Sequence, residues 1–237
     1  MATSPINSYA PIAPASRPVA DAAQRRQHGT DQGAGFDSQA TVVTLSPAAR
    51  ASIAPVADVK DFATVAREAR AALDANASNP GAAIASLDRR SLYAIASNAG
   101  KQFSGIEQGQ ASIRMLGQQT EAMEISPESS PAEIAEGYRR GIAFLDAVSA
   151  EEKSSFTWAR QRAATQFGYE SHSRRAGLEP DALDSSDPVA RLIKSGMDAL
   201  NSTNDPSKRL EDMPQYVQAE WTHAARQGAV RIVDRLA

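Results

Sequence analysis

Apolar side chains recur at three- and four-residue steps over most of the chain beyond about residue 58, which is the spacing of one face of an α-helix. Only the short β-branched segment 41–45 has the character of a strand. The pattern therefore predicts an all-α protein. The clearest aligned sets are Val59, Phe62, Val65, Ala66, Ala69 and Leu73, then Ile134, Tyr138, Ile142 and Leu145, and finally Val217, Trp221, Ala225, Gly228 and Ile232.

Helix starts are marked by residues that can satisfy free backbone N–H groups. Ser104 with Glu107, Ser130 with Glu133, and Ser149 with Glu152 each have the spacing of a capping box. Further starts are predicted at Asp88 and Asp187-Pro188, and a last long helix at about Pro214 to Leu236. The helix from about 150 should end near Gly177, and the stretch from Asn76 to Gly81 should end the helix that starts near Asp58.

Residues 1–45 differ from the rest of the chain. This segment is rich in Pro, Ser, Gly and Ala, and its apolar residues are isolated, so it cannot bury enough surface to offset the entropy of ordering. Ser46-Pro47 then predicts a short helix at about 47–54. The chain is thus expected to be an irregular helical bundle of about six to eight helices over 46–237, behind a disordered tail; a division of the bundle near 126–130 is the alternative.

The amino-acid composition excludes some classes of function and makes others less expected. The chain has no cysteine, so thiolate catalysis and thiolate metal sites are excluded. The formal net charge is −3, whereas phosphate contacts to nucleic acid usually come with a basic excess, so nucleic acid is not expected as a partner. Arg greatly outnumbers Lys and Ala is abundant, which is typical of a GC-rich bacterial genome.

No window approaches the roughly 18 apolar residues of a membrane span, and the start of the chain lacks the basic cluster and apolar run of a cleaved export signal. The sequence therefore predicts no membrane span and a cytoplasmic location. The alternative is export by a type III-like route, which reads an uncleaved Ser- and Pro-rich leading segment.

Catalytic, metal and cofactor signatures are not recognisable in the pattern. Glu220 and His223 form one Glu-x-x-His pair, but a di-metal centre in a bundle needs a second pair. The other histidines, His28 and His172, have no partner at ligand spacing, and glycine-rich phosphate loops would need a preceding strand. We therefore predict no enzyme activity, no metal and no cofactor.

Large aromatic and arginine residues are the remaining candidates for recognition, because Trp, Tyr and Arg dominate the energetics of protein interfaces. The predicted partner-binding residues are Tyr138, Trp158, Arg160, Arg162 and Trp221. Core filling is the competing interpretation for the aromatic residues. A DNA-binding regulator, with Arg160 and Arg162 on an exposed helix, is the competing interpretation for the arginines.

Two short stretches carry a resemblance. Leu87-Asp88-Arg89-Arg90-Ser91-Leu92-Tyr93-Ala94-Ile95-Ala96-Ser97-Asn98, followed by Phe103-Ser104 and Glu107, resembles a pattern in uncharacterised helical proteins of proteobacteria. It covers about a tenth of the chain and implies helices but no activity. Val43-Thr44-Leu45-Ser46-Pro47-Ala48-Ala49-Arg50 is similar to stretches that follow disordered tails in bacterial flagellar regulators and export-linked proteins.

These observations favour a non-enzymatic bacterial protein that binds another protein or regulates it, with a link to flagellar or type III export. A secreted effector or enzyme with a pocket built from distant helices is one alternative, since sequence spacing does not reveal such a pocket. A DNA-binding regulator is the other.

Overall fold

The computed structural model describes residues 60–203 and 205–236, with side chains described as far as residue 228. The tail predicted at 1–45 and the short helix predicted at about 47–54 lie outside these residues. The helices are α1 (Phe62–Ala75), α2 (Pro80–Ser86), α3 (Arg89–Ala96), α4 (Gly105–Met123), α5 (Pro131–Ala147), α6 (Ala150–Lys153), α7 (Phe156–Arg175), α8 (Pro188–Thr203) and α9 (Pro214–Leu236).

The all-α prediction is confirmed, since no strand occurs in the described ranges. Their nine helices exceed the predicted six to eight because α2 and the single-turn α6 are separate elements. The predicted end of the first long helix at Asn76 to Gly81 is confirmed, since α1 ends at Ala75 and Asn76 is its C-cap, but a further helix that was not predicted starts within the same segment. Asn79 accepts the Ala82 N–H at 3.2 Å and Pro80 occupies the first helical position, so a new helix begins there.

The capping boxes at Ser104 and Ser130 are confirmed. In each, the glutamate three residues later accepts the serine N–H at 2.7 Å, while the serine hydroxyl accepts the glutamate N–H at 3.3 Å. The third box is only half formed. Ser149 accepts the Glu152 N–H at 3.3 Å, but the Glu152 carboxylate turns inward to Arg89 instead of back to Ser149.

Two main hydrophobic cores and one smaller cluster, formed by Ala135, Ile142 and Tyr169, stabilise the described part of the bundle. Helices α1 to α4 enclose the first core, which includes Leu73, Leu92 and Ile95. Helices α5, α7, α8 and α9 enclose the second, which includes Phe144 and Ile193, and α4 packs against α5 between them. Arg89 of α3 and Glu152 of α6 form a buried ion pair that ties the two halves of the fold together.

Glycines allow α4, α5 and α7 to approach closely. A methyl group at Gly137 of α5 would come within 2.8 Å of the Met123 carbonyl oxygen at the end of α4. At Gly141 it would lie 3.0 Å from the Thr165 methyl group of α7, and at Gly168 of α7 it would overlap the Tyr138 ring. The close packing of these three helices therefore depends on the glycines at these positions, which carry no side chain, as well as on apolar contacts.

Gly137→Ala should lower the free energy of unfolding by about 1–3 kcal/mol, because backbone at the end of α4 must move to admit the methyl group. The matched control is Gly109→Ala on α4, where an added methyl group meets nothing within 4 Å. That change should instead raise the stability of the monomer by up to about 1 kcal/mol through helix propensity. Urea unfolding followed by circular dichroism measures both, and equal effects at the two sites would contradict the packing described.

Candidate protein-binding surfaces

Trp158, one of the predicted partner-binding residues, lies in the second core. Its side chain is only 4% exposed, and the indole N–H donates to the Leu145 carbonyl oxygen at 2.9 Å. A buried Trp needs such a partner for its N–H, and this one comes from the facing helix α5. In this conformation Trp158 packs α7 against α5 and offers no surface to another protein.

Arg162 is also buried, with 2% of its surface exposed. Its guanidinium donates to Asp146 at 2.7 Å, to Gln166 at 3.3 Å and to the Leu183 carbonyl oxygen at 2.8 Å. These contacts hold the segment that follows α7 against helices α5 and α7. Arg162 therefore belongs to the interior, where its hydrogen-bonding groups are already occupied.

Arg160 points the other way, with about half of its side chain exposed. Its guanidinium lies over the Tyr216 ring, 5.8 Å from the ring centroid, and 3.9 Å from a carboxylate oxygen of Glu211. Because Arg162 is buried, the two arginines do not form a shared exposed face. The arrangement predicted for a DNA-binding helix is absent from α7.

Tyr138 is half-buried on α5. Its ring stacks on the His172 imidazole with the centroids 5.4 Å apart, and it fills the space above Gly168. Burial lowers the pKa of His172, and the nearby positive charge of Arg175 adds to that effect. This aromatic pair packs α5 against α7, which accounts for both rings without a partner.

Trp221 is the predicted aromatic residue that lies on the surface, and it is 75% exposed. Val217, one turn earlier on α9, is exposed as well, and Glu220, Ala224 and Ala225 line a shallow groove beside the indole. We call Val217, Glu220, Trp221, Ala224 and Ala225 the α9 surface. A large apolar side chain left in water within such a patch is typical of an interaction site.

The opposite side of α9 explains why this patch faces outward. Tyr216 and Ala219 are buried against the second core, and the Phe156 ring meets the Tyr216 ring edge-on with centroids 5.6 Å apart. His223 lies on that same side, 5.4 Å from the Phe156 ring. The helix is thus anchored by one face, while Val217 and Trp221 on the other face are 40% and 75% exposed.

A second apolar surface was not predicted. On α4, Ile106, Ile113 and Leu116 are 76%, 73% and 55% exposed. The spacing of these residues in the sequence indicates a single helix face, but it does not say whether that face lies inward or outward. The structure places Ala111, Met115 and Ala122 of the same helix inward instead.

A cleft with a volume of about 300 Å³ lies between α3, α4 and α7. Tyr93, Ser97, Met115, Glu152 and Gln161 are among the residues that line it. Burial raises the pKa of Tyr93, with the negative charges of Glu152 and Glu151 adding to the effect. This volume is at the lower end of the range for ligand pockets.

The chemistry of this cleft is limited by the pairing of its one carboxylate. Glu152 accepts hydrogen bonds from Arg89 through both oxygens, at 2.6 Å from Nη2 and 3.0 Å from Nε. The third Arg89 nitrogen donates to the Met115 carbonyl oxygen. Because Glu152 is fully engaged by Arg89, it is not positioned to act as a general base.

Metal-ligating residues do not cluster in the described ranges, where no group of three His, Asp or Glu side chains could hold an ion. Likewise, none of the helices there has both the length and the apolar character that a membrane crossing requires. His28 lies outside these residues. Within the described ranges, α4 and α9 carry five of the six exposed large apolar side chains, and Leu178 is the sixth.

Comparisons with known proteins add no family to this description. No protein-family model, no curated protein and no solved structure matches the chain.

Proposed function

We propose that this chain is a non-enzymatic protein-binding protein that engages an amphipathic helix of another protein through the α9 surface. The observation that carries the proposal is Trp221, which is 75% exposed and continues an apolar stripe along α9. Tryptophan is the residue type most enriched among interface residues that dominate binding energy.

The chemistry of the surface defines the partner helix. Val217 offers apolar contact, and the small side chains of Ala224 and Ala225 leave a shallow groove beside the indole. Aliphatic side chains that repeat every three or four residues along a partner helix would fit this surface. Glu220 is exposed, and no cation pairs with it in the described part of the chain. We therefore expect Lys or Arg at the edge of the partner's apolar stripe.

The cellular setting is part of the same proposal. The Arg- and Ala-rich composition supports a bacterial source, and the Ser- and Pro-rich residues 1–45 support a role as a targeting arm in flagellar or type III export. A cytoplasmic regulator and an exported protein would both use the α9 surface in the same way. Fractionating native cells with the export system intact and then deleted separates these two locations.

Site-specific photo-crosslinking in the native cells tests the binding proposal. A photoreactive residue at Ala225, beside the indole, should give a discrete adduct with a different protein, whereas one at the exposed Glu179 should not. Adding Trp221→Ala to the Ala225 probe should reduce the adduct by roughly tenfold or more, as expected for the loss of a binding hot spot.

Three outcomes would contradict the proposal. These are equal adducts from positions 225 and 179, an adduct that survives Trp221→Ala unchanged, and an adduct with the mass of two copies of this chain. Once the adduct identifies the partner, a synthetic peptide spanning its linked segment should quench or shift Trp221 fluorescence on titration. A peptide with the edge Lys or Arg changed to Glu is the matched control and should bind more weakly.

A further inference from the structure

The outward face of α4 is a narrow, uncharged apolar seam. Ile106, Gly109, Ile113, Leu116 and Thr120 are all exposed, and they follow one another at steps of three and four residues. We call these five residues the α4 seam. A strict alternation of three- and four-residue steps is the pattern by which two helices pair in a coiled coil, and it is narrower than the stripe that faces a globular core.

The positions that flank the seam are also uncharged. Gln110 and Gly117 lie on one side, and Gly105 and Ser112 lie on the other. In coiled coils these flanking positions usually carry charges that select a partner of opposite sign. Their neutrality means that two identical seams can meet without repulsion between like charges.

Gly109 leaves a hollow in the seam that no described residue fills. A glycine in the interior of a helix costs about 1 kcal/mol relative to alanine. Here a methyl group would meet nothing within 4 Å, so contacts among the described residues do not require the glycine. The hollow it leaves lies between two protruding side chains, Ile106 and Ile113, which are 76% and 73% exposed.

We propose that the α4 seam binds the same seam of a second copy of this chain, with the two helices antiparallel. An antiparallel two-fold pairing centred at the level of residue 111 places Ile113 of each copy in the hollow at Gly109 of the other. It also brings Ile106 opposite Leu116. The seam is thus complementary to itself, as an interface between two identical subunits requires.

Charge and packing both favour the antiparallel arrangement over the parallel one. A parallel pair would set Gly109 against Gly109 and leave a void at the centre of the interface. The antiparallel pair brings Lys101, in the turn before α4, to the same end as Glu121 of the other copy, which pairs with Arg114 of its own helix at 2.7 Å. It also sets the two helix dipoles in opposition, which is favourable.

The size of the seam sets the strength of the pairing. α4 has 19 residues and is therefore about 28 Å long, and the seam offers only three large apolar side chains. A standard stable interface buries roughly 800 Å² on each partner, which a single helix face of this length does not reach. The dimer is therefore reversible and depends on protein concentration.

Sedimentation of the full chain across a concentration series tests the pairing. The wild-type protein should shift from monomer to dimer, and Ile113→Asp should weaken the dimer by at least tenfold. Leu178→Asp is the matched control, because Leu178 is an exposed apolar residue away from α4 and its variant should dimerise like the wild type. Gly109→Ala should also weaken the dimer, although it stabilises the monomer helix.

A chain that stays monomeric at all concentrations would overturn the proposal, whether the seam is free or is covered by other residues of the chain. A dimer that Ile113→Asp leaves intact would overturn it as well. Circular dichroism of each variant verifies the fold, so a loss of dimer is not mistaken for unfolding.

The absence of native cysteine allows a direct test of orientation by disulfide formation. Chains with Ile106→Cys and chains with Leu116→Cys should form a disulfide when mixed. Each alone should not, because like positions are then about 15 Å apart along the axis. Disulfides within each separate variant, with none joining the two different variants in the mixture, indicate a parallel pair and would overturn the antiparallel assignment.

Discussion

Glu152→Ala is expected to lower the free energy of unfolding by about 3–5 kcal/mol, because it leaves the Arg89 guanidinium buried without its counter-charge. Both side chains are almost completely buried, and three hydrogen bonds of 2.6, 3.0 and 3.1 Å join them. Arg89 also lies over the Phe144 ring, 5.1 Å from its centroid, so the loss extends into the second core. Chemical denaturation measures the change.

The neighbouring residue provides the control for this prediction. Glu151 pairs with Arg90 but is partly exposed, so Glu151→Ala should cost about 1 kcal/mol or less. Replacing both members of the buried pair, as in Arg89→Met with Glu152→Leu, should cost much less than Glu152→Ala alone, since no charge is stranded. If Glu152→Ala and Glu151→Ala cost the same, the pair does not join the two halves of the fold.

Trp158→Ala is expected to lower the free energy of unfolding by about 3–5 kcal/mol, as for other large buried aromatic residues. Trp221→Ala should change it by no more than about 0.5 kcal/mol, because Trp221 is 75% exposed. The chain has only these two tryptophans, so each variant also isolates the fluorescence of the other.

Fluorescence then provides a second readout of the same contrast. In Trp158→Ala, if folded, the remaining emission should be red-shifted and readily quenched by iodide. In Trp221→Ala it should be blue-shifted and protected from iodide. The opposite pattern of emission and quenching, or similar stability losses in both variants, would contradict the buried position of Trp158 on α7 and the exposed position of Trp221 on α9.

Sequence reasoning located the helix starts best, because caps are local. Ser104, Ser130 and Pro214 each begin a helix from chemistry that acts within four residues. It failed where a distant residue competes for the same group, as at Glu152, whose carboxylate binds Arg89 rather than closing a capping box. It also missed α2, a seven-residue helix too short for periodicity to define.

The buried side of each helix was harder to predict than the presence of the helix. The buried side of α7 includes Arg162, Thr165 and Gln166, which are polar but hydrogen-bonded, so hydrophobicity does not mark that side. On α9 the larger apolar stripe faces outward, while Tyr216 and Ala219 face the core. Which stripe is buried depends on tertiary packing, and one sequence does not carry that information.

For the same reason, only part of the candidate site could be predicted. The sequence contains residue types that are common in interfaces at five predicted positions, but tertiary packing determines whether each of them lies at the surface or in the core. Trp221 is at the surface, whereas Trp158 and Arg162 are in the core. The α4 seam could have been noticed from the steps between Ile106, Gly109, Ile113 and Leu116, but its exposure depends on how α4 packs against α3 and α5.

Oxidative footprinting of Trp221 tests the central claim most directly, namely that the outward apolar face of α9 serves to bind a protein. The full chain is labelled alone and in native cell extract, and the two tryptophans are compared by mass spectrometry. Trp221 should be labelled strongly in the isolated protein and at least several-fold less in the extract, with Trp158 protected in both. Equal labelling of Trp221 under the two conditions, or labelling of Trp158 as readily as Trp221, would contradict the account.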